Sequence, residues 1–283
     1  MNPERLTMHN LTLKKIFNYI FMSAIALAML FPLLWLIGTS LKSPSENIFQ
    51  FPPQLWPSQP TFQNFVQVWK TNPFGRYLLN STLVASMAVC LNLLFCSLAA
   101  YPLARMQFRG REVIFSAVVA TIMIPLQIVM VPLGQLVFKV EYLQNNYLTL
   151  IFPAIASAFG IFLLRQAFQG VPKELEEAAR MDGCTELGIW WHVMIPSVRP
   201  ALVTLAIFVF IGSWGDFLWP LIVLNKKEYY TLPLGVAELM NSANLDWRLL
   251  AAGSVIAIAP IITFFLFVQR YILPTESGSG VKG

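Results

Sequence analysis

Few side chains in this sequence are spaced for covalent or metal chemistry. The histidines are His9 and His192, and the cysteines are Cys90, Cys96 and Cys184. None falls at a metal-ligating or redox spacing, so the three thiols read as free and packed, and His192 reads as a packing or capping residue. No lysine follows a glycine, which excludes the phosphate-cradling loop G-x-x-x-x-G-K-[ST]. H-E-x-x-H and G-x-S-x-G are also missing, so the chain carries no ATPase or hydrolase machinery of its own. What remains is a polar stretch between two apolar runs, "QGVPKELEEAARMDGCTELGIWWHVMIPSVRPAL", residues 169–202. Its acids, paired alanines and glycine suit recognition rather than reaction.

Physical chemistry gives that stretch a local structure. Pro172 suits a helix start, where a missing N–H costs nothing. Glu174, Glu176 and Glu177 fall near the positive end of the helix dipole. Gly183 suits the left-handed residue just beyond a helix C-terminus. A helix over about 172–182 is therefore expected, followed by a second helical piece towards Pro196. Leu175, Ala178, Ala179 and Asp182 recur at three- and four-residue spacing. Small alanines with a charged rim fit a helix docked in a partner's groove; a solvated connector between two spans is the alternative.

The elements that must position this loop are membrane spans. The chain is 57% hydrophobic and 12% charged, against about 25% charged in soluble domains, and apolar runs of roughly 20 residues recur. The reading is all-α, with six spans at about 16–38, 78–102, 113–138, 143–164, 200–224 and 249–269. The first is too long for a signal-peptide core and reads as retained. Prolines inside spans are tolerable where neighbours satisfy the freed carbonyls. The expected organisation is an N-terminal segment 1–15, one membrane domain 16–272 holding the loop 172–196, and a tail 273–283.

Orientation follows the basic residues. One side would hold Arg5, Lys14, Lys15, Arg105, Arg109, Arg111, Arg165, Lys173, Arg180, Arg199, Arg270 and Lys282. The other would hold Lys42, Lys70, Arg76, Lys139, Lys226, Lys227 and Arg248. The richer side is cytoplasmic, which puts both termini inside. The net charge of +5 is dispersed and forms no basic stripe, so nucleic acid is not an expected partner. Two long outer loops, about 39–77 and 225–248, are sized for function or partner binding. In the first, Phe62, Phe65, Val66 and Trp69 share one face of a short amphipathic helix.

The order Glu177-Ala178-Ala179, three residues, Gly183, nine residues, then Val193-Met194-Ile195-Pro196 resembles the EAA loop of ABC-importer permeases, with Val193 and Ile195 as conservative departures. "PTFQNFVQVW" (60–69), "YLLNSTLVA" (77–85), "GSWGDFLWPLIVL" (212–224), "LPLGVAEL" (232–239) and the final "VKG" resemble the maltose-type carbohydrate branch. The resemblance implies a permease in a bacterial cytoplasmic membrane. Its partners would be a second homologous permease, an ATPase dimer that binds ATP and Mg, and an extracytoplasmic sugar-binding protein. This chain would hold no cofactor. Leu175, Glu177, Ala178, Ala179, Asp182 and Gly183 would form the coupling helix seated in the ATPase. The ending "RYILPTESGSGVKG" departs from that branch, which puts a contact of the tail with the ATPase in doubt.

The transport path is less legible. Asn92, Thr121, Gln127, Trp214 and Asp216 are the polar or aromatic candidates inside the spans. The amides and the threonine would serve a hydroxylated solute or simply a neighbouring helix. An acid within a span faces a cavity or an interface; for Asp216 an interfacial acid in an aromatic belt, or one joining two permeases, is the alternative. Beside sugar import stand a neutral glycosylated polyol or glycerol phosphate as cargo, and a stand-alone secondary carrier. A phosphorylated cargo would favour cations in the spans, which show none.

Overall fold

The computed structural model describes residues 3–52, 54–241 and 245–269, with backbone alone for 3–14 and 241. The expected tail 273–283, with Arg270 and Lys282, lies outside the described residues. The helices, in chain order, are α1 (Pro3–Ser40), α2 (Gln63–Thr71), α3 (Phe74–Arg105), α4 (Arg111–Ala120), α5 (Leu126–Lys139), α6 (Tyr147–Ile151), α7 (Ala158–Gln169), α8 (Lys173–Met181), α9 (Glu186–Ile189), α10 (Ile195–Ser197), α11 (Arg199–Trp214), α12 (Leu218–Val223), α13 (Leu232–Glu238) and α14 (Trp247–Val268). No strand occurs among the described residues. The segments 15–40, 74–105 and 247–268 are long and apolar enough to cross a bilayer, and counting each sharply bent helix pair as one span gives six.

Three of the six expected spans, the third, the fourth and the fifth, are bent or broken, the fifth at the Asp216 that interrupts its apolar run. The third bends by 92° between residues 123 and 126, because Pro125 drives Ile124 out of the helical region, to ψ 114°. The fifth stops at Trp214 and resumes at Leu218, with Gly215, Asp216 and Phe217 between. The fourth bends by 45° and restarts with Ser157 as its cap, whose hydroxyl accepts from the Gly160 amide.

By internal packing the chain forms two compact units, residues 1–72 with 238–256, and residues 73–237 with 257–283. In the first unit, none of the most apolar stretch of α1 is buried within the chain. Beyond its end, Asn64 of α2 donates to the carbonyls of Ser40 and Lys42, each at 2.8 Å, which satisfies groups left unpaired at a helix end. The amphipathic α2 turns Asn64 and Val68 inward and leaves Phe62, Val66 and Trp69 exposed.

The second unit is organised by α3. Its buried stripe Ala85, Ala88, Asn92, Cys96, Ala100 and Ala104 repeats at helical spacing and is mostly small, which lets α7 and α11 approach closely. Gly160 of α7 completes one approach: a Cβ there would lie 2.8 Å from Cys96 Sγ. One apolar cluster joins this part of α3 to Leu164 and Phe168 of α7, Ala179 of α8, Ile189 and Leu205. Another gathers Val84, Met130, Leu150, Trp219 and Val223.

Candidate functional site

The polar loop folds as its residues dictate. Pro172 caps α8 from outside the helix rather than filling its first turn, and Glu174 and Glu176 lie in that first turn. Gly183 is left-handed, at φ +82°. Its amide donates to Arg180 O and the Cys184 amide donates to Ala179 O, both at 3.0 Å, the paired bonds of a Schellman stop. Thr185 then caps α9 through a bond from the Gly188 amide. The helical piece 186–197 meets α11 at 82°.

The face drawn through Leu175, Ala178, Ala179 and Asp182 is divided. Leu175, Glu177, Ala178, Asp182 and Gly183 are exposed, whereas Ala179 is buried among residues of α3, α7 and α11. Ala179 shares the inward side of α8 with Glu176, so it positions the helix and is not part of its free surface. The free surface is completed by side chains the spacing rule missed: Met181 at 88% exposure, Leu187 at 68% and Trp191 at 57%. Exposed large apolar residues just after the helix are a signal that a wider window would have caught.

Ion pairs surround the loop. Glu176 pairs with Arg105 and also lies 3.6 Å from Arg180. Arg180 reaches Glu186 at 2.9 Å, and Tyr101 donates its hydroxyl to Glu186 at 2.7 Å. The Arg180 bond first, and the Tyr101 hydroxyl second, hold the Glu186 carboxyl below the usual carboxylate range against a smaller opposing effect of burial. Arg165 donates to both oxygens of Glu112, at 2.8 and 3.0 Å, and to Leu103 O. His192 pairs Nδ1 with Gly188 O of its own helical segment. All three cysteines are free thiols.

An open cavity of about 580 Å³ is lined by α3, α5, the bend of the fourth span, α11 and α12. It brings together Asn92, Gln127 and Asp216 of the five path candidates, with Ser157, Ser213 and Trp219. Trp214 and Thr121 are not on its wall. Trp214 is buried and donates its indole N–H to Ala257 O, because a buried indole needs an acceptor. Thr121 donates to Val118 O one turn back. Asn92 also serves packing, since its amide binds Ala154 O at 2.7 Å. Asp216 accepts from the Trp219 amide at 3.3 Å and so caps α12 at the break. Among the described residues no lysine, arginine or histidine lines the cavity, whose walls are mainly leucine, phenylalanine and small residues.

Residues 92–277 match the family described as binding-protein-dependent transport system inner membrane component. The chain is 40% identical over 261 residues to the arabinooligosaccharides transport system permease protein AraQ of Halalkalibacterium halodurans, covering 92% of this chain and 93% of that protein. It is 31% identical over 257 residues to the sulfoquinovosyl glycerol transport system permease protein SmoH of Agrobacterium fabrum, covering 90% and 89%. Among solved structures it matches a chain of a bacterial ABC transporter involved in the import of the acidic polysaccharide alginate. The TM-score is 0.78 and the identity 26%, over 93% of this chain and 97% of that one.

Proposed function

Because this chain belongs to the binding-protein-dependent transport system inner membrane components, we propose that it is one of two permease chains of an ATP-driven importer, with a sugar or oligosaccharide as cargo. It is a membrane protein and a transport component, and its relatives are permease subunits, not enzymes. In this reading α8 faces the cytoplasm, as do both termini. The observation that carries it is the unpartnered apolar surface at the loop: Leu175, Met181, Leu187 and Trp191. Burying what these side chains still expose contributes on the order of 1 kcal/mol each, which together favours seating the helix in a groove of a separate ATPase. That ATPase binds ATP and Mg, and its closure displaces α8.

The cavity beside Asn92, Gln127 and Asp216 is half of a pathway that a second, homologous permease completes. Alternating exposure follows when packed spans exchange between two arrangements. Cargo arrives from an extracytoplasmic binding protein. The cavity wall offers carboxylate, amide and hydroxyl groups beside phenylalanine rings, which suits an uncharged polyhydroxylated solute. A neutral glycosylated polyol is the second reading: the sulfoquinovosyl glycerol permease is named for a glycosylated glycerol, and because its sulfoquinovosyl group is anionic the likeness supports the polyol and not the absence of charge. Glycerol phosphate is disfavoured because no cation lines the wall among the described residues.

The test is a mild-detergent pull-down of this chain from its native membranes, with mass spectrometry of what accompanies it. An ATPase, a second permease and a binding protein are expected. Recovery of this chain alone, where a control importer stays whole, would return it to the stand-alone carriers. The recovered binding protein is then screened against sugars and glycosylated polyols by thermal shift.

A further inference from the structure

The helix α8 is held to its unit by more than apolar packing. Glu176, on its inward side, is 4% exposed and is paired with the guanidinium of Arg105, the last residue of α3. The same guanidinium donates to the carbonyl of Val171, which immediately precedes the cap Pro172. One planar cation thus grips the start of α8 at two points, one backbone and one side chain, a use of the five-donor fork that an ammonium does not match. One turn back along α3, Tyr101 holds Glu186 on the far side of the α8–α9 turn, and Arg180 bridges Glu176 and Glu186.

A static connector has no need of this. Taking two charges out of water is costly, and an apolar pair of similar volume holds two helices together equally well or better. What the charged pair adds is a fixed direction and register. The loop that would otherwise flex is short, Gly170 to Pro172, and Arg105 is bonded inside it. Near its middle α3 reaches the cavity. Asn92 is thirteen residues back from Arg105, about 20 Å along a helix, and there it binds Ala154 O at the bend of the fourth span.

We propose that Arg105 and Glu176 form a rigid joint through which α8 and α3 move as one body, so that displacement of α8 is delivered to the cavity wall and not absorbed by the loop. This rests on the reading of α8 as the seat of an ATPase. Both are positioning residues, acting through α3.

The chain supplies its own reporters. Cys90 on α3 and Cys184 just after α8 are exposed, while Cys96 is buried. Spin labels on the two exposed thiols, in the complex drawn from native membranes, give the α3–α8 distance by pulsed electron paramagnetic resonance. It is read nucleotide-free and with Mg and a non-hydrolysable ATP analogue. The wild-type distance is expected to be narrow and the same in both states. In the apolar pair R105M/E176L it is expected to broaden and to shift when the analogue binds. In R105K, which keeps the charge but not the planar fork that reaches Glu176 and Val171 O together, it is expected to broaden by less. A wild-type distance that changes with nucleotide would overturn the joint, and so would an apolar pair as fixed as wild type. If the apolar pair does not accumulate in membranes, R105K decides: a distance broader than wild type supports the joint, one as narrow as wild type overturns it. Failure of the function reading shows separately, as wild-type preparations that contain no ATPase, and it would remove the joint's role with it.

Discussion

Gly235 lies against the ring of Tyr77, so closely that a Cβ on Gly235 would sit 2.2 Å from Cδ2 and 2.6 Å from Cε2. The ring has no room to yield. It is fully buried and is flanked by Phe74 and Tyr230, with centroids 5.6 and 6.1 Å away. Within α13, exchanging glycine for alanine would by itself favour the helix by about 1 kcal/mol. Overpacking of about 1–3 kcal/mol opposes it, and at 2.2 Å overpacking wins. Gly235→Ala is expected to lower the melting temperature of the detergent-solubilised protein. Gly235→Ala with Tyr77→Leu is expected to cost less than the sum of the two single changes, because they share one contact. Additive costs would show that the ring is not what the new methyl meets.

Asp216 separates two roles that its position confounds. If its use is to cap α12 through the Trp219 amide, Asp216→Asn keeps an acceptor oxygen and is expected to melt near wild type. Asp216→Ala loses the cap and is expected to cost about 0.5–2 kcal/mol. The two variants are compared by thermal unfolding and by uptake in membrane vesicles. Loss of uptake in the asparagine variant at unchanged stability would instead assign the charge itself a part in the pathway.

How far the sequence speaks for itself depends on the range of the interaction. Gly183 was readable as the left-handed stop of α8 because its reason is local: a helix ends and only glycine takes φ +82° without cost. The break at Pro125 was equally local in cause. It was passed over because the apolar run continues on both sides, and hydropathy does not sense backbone direction. Ala179 was misplaced for a different reason. Spacing puts it on a stripe with Leu175 and Ala178, but which side of a polar helix faces its own protein is set by α3 and α7, far away in the chain. The pairs Arg105–Glu176 and Arg165–Glu112 join residues more than fifty positions apart in the chain, and no pattern along one sequence matches such partners.

Acid is expected to loosen the loop through Glu186. Its carboxyl titrates below the ordinary value of 4.5, chiefly because Arg180 bonds it. A depressed carboxylate contributes stability that is fully present above the unfolded-state value and is lost as pH falls through the folded-state one. Between pH 7 and 5 the contribution should be constant, and the decline should begin below about 4.5. Glu186 is largely solvent-exposed, so screening keeps the effect modest. The check is limited proteolysis at the α8–α9 turn from pH 3.5 to 7. Wild type should become more cleavable towards acid, and Glu186→Gln should be cleaved at a rate that varies less over that range. Equal pH profiles for both would remove Glu186 from the account.

The docking surface calls for variants that spare the chain's own packing. Ala179→Trp is a poor probe, because residue 179 is buried against Ile189 and Phe168 of the same unit and a large side chain would disrupt the fold first. Met181, at 88% exposure, makes the better one: substitutions at such surface positions change stability by no more than about 0.5 kcal/mol. Met181→Asp sets a carboxylate at the helix C-terminus at a cost of about 0.3–1 kcal/mol; it is expected still to accumulate in membranes and to melt only slightly below wild type, yet to recover much less ATPase in the pull-down. Gly183→Ala is the complementary case. A Cβ there meets nothing within 4 Å, so its cost is the left-handed backbone alone, about 1 kcal/mol, and the Schellman stop should survive. Gly183→Pro would also delete the bond from its amide to Arg180 O and demand a negative φ. The end of α8 should then unwind, taking Met181 and Leu187 out of register. Full ATPase recovery with both Met181→Asp and Gly183→Pro would mean that the partner binds elsewhere on the chain. Loss with the proline and not with the aspartate would place the contact on the turn rather than on the exposed methionine.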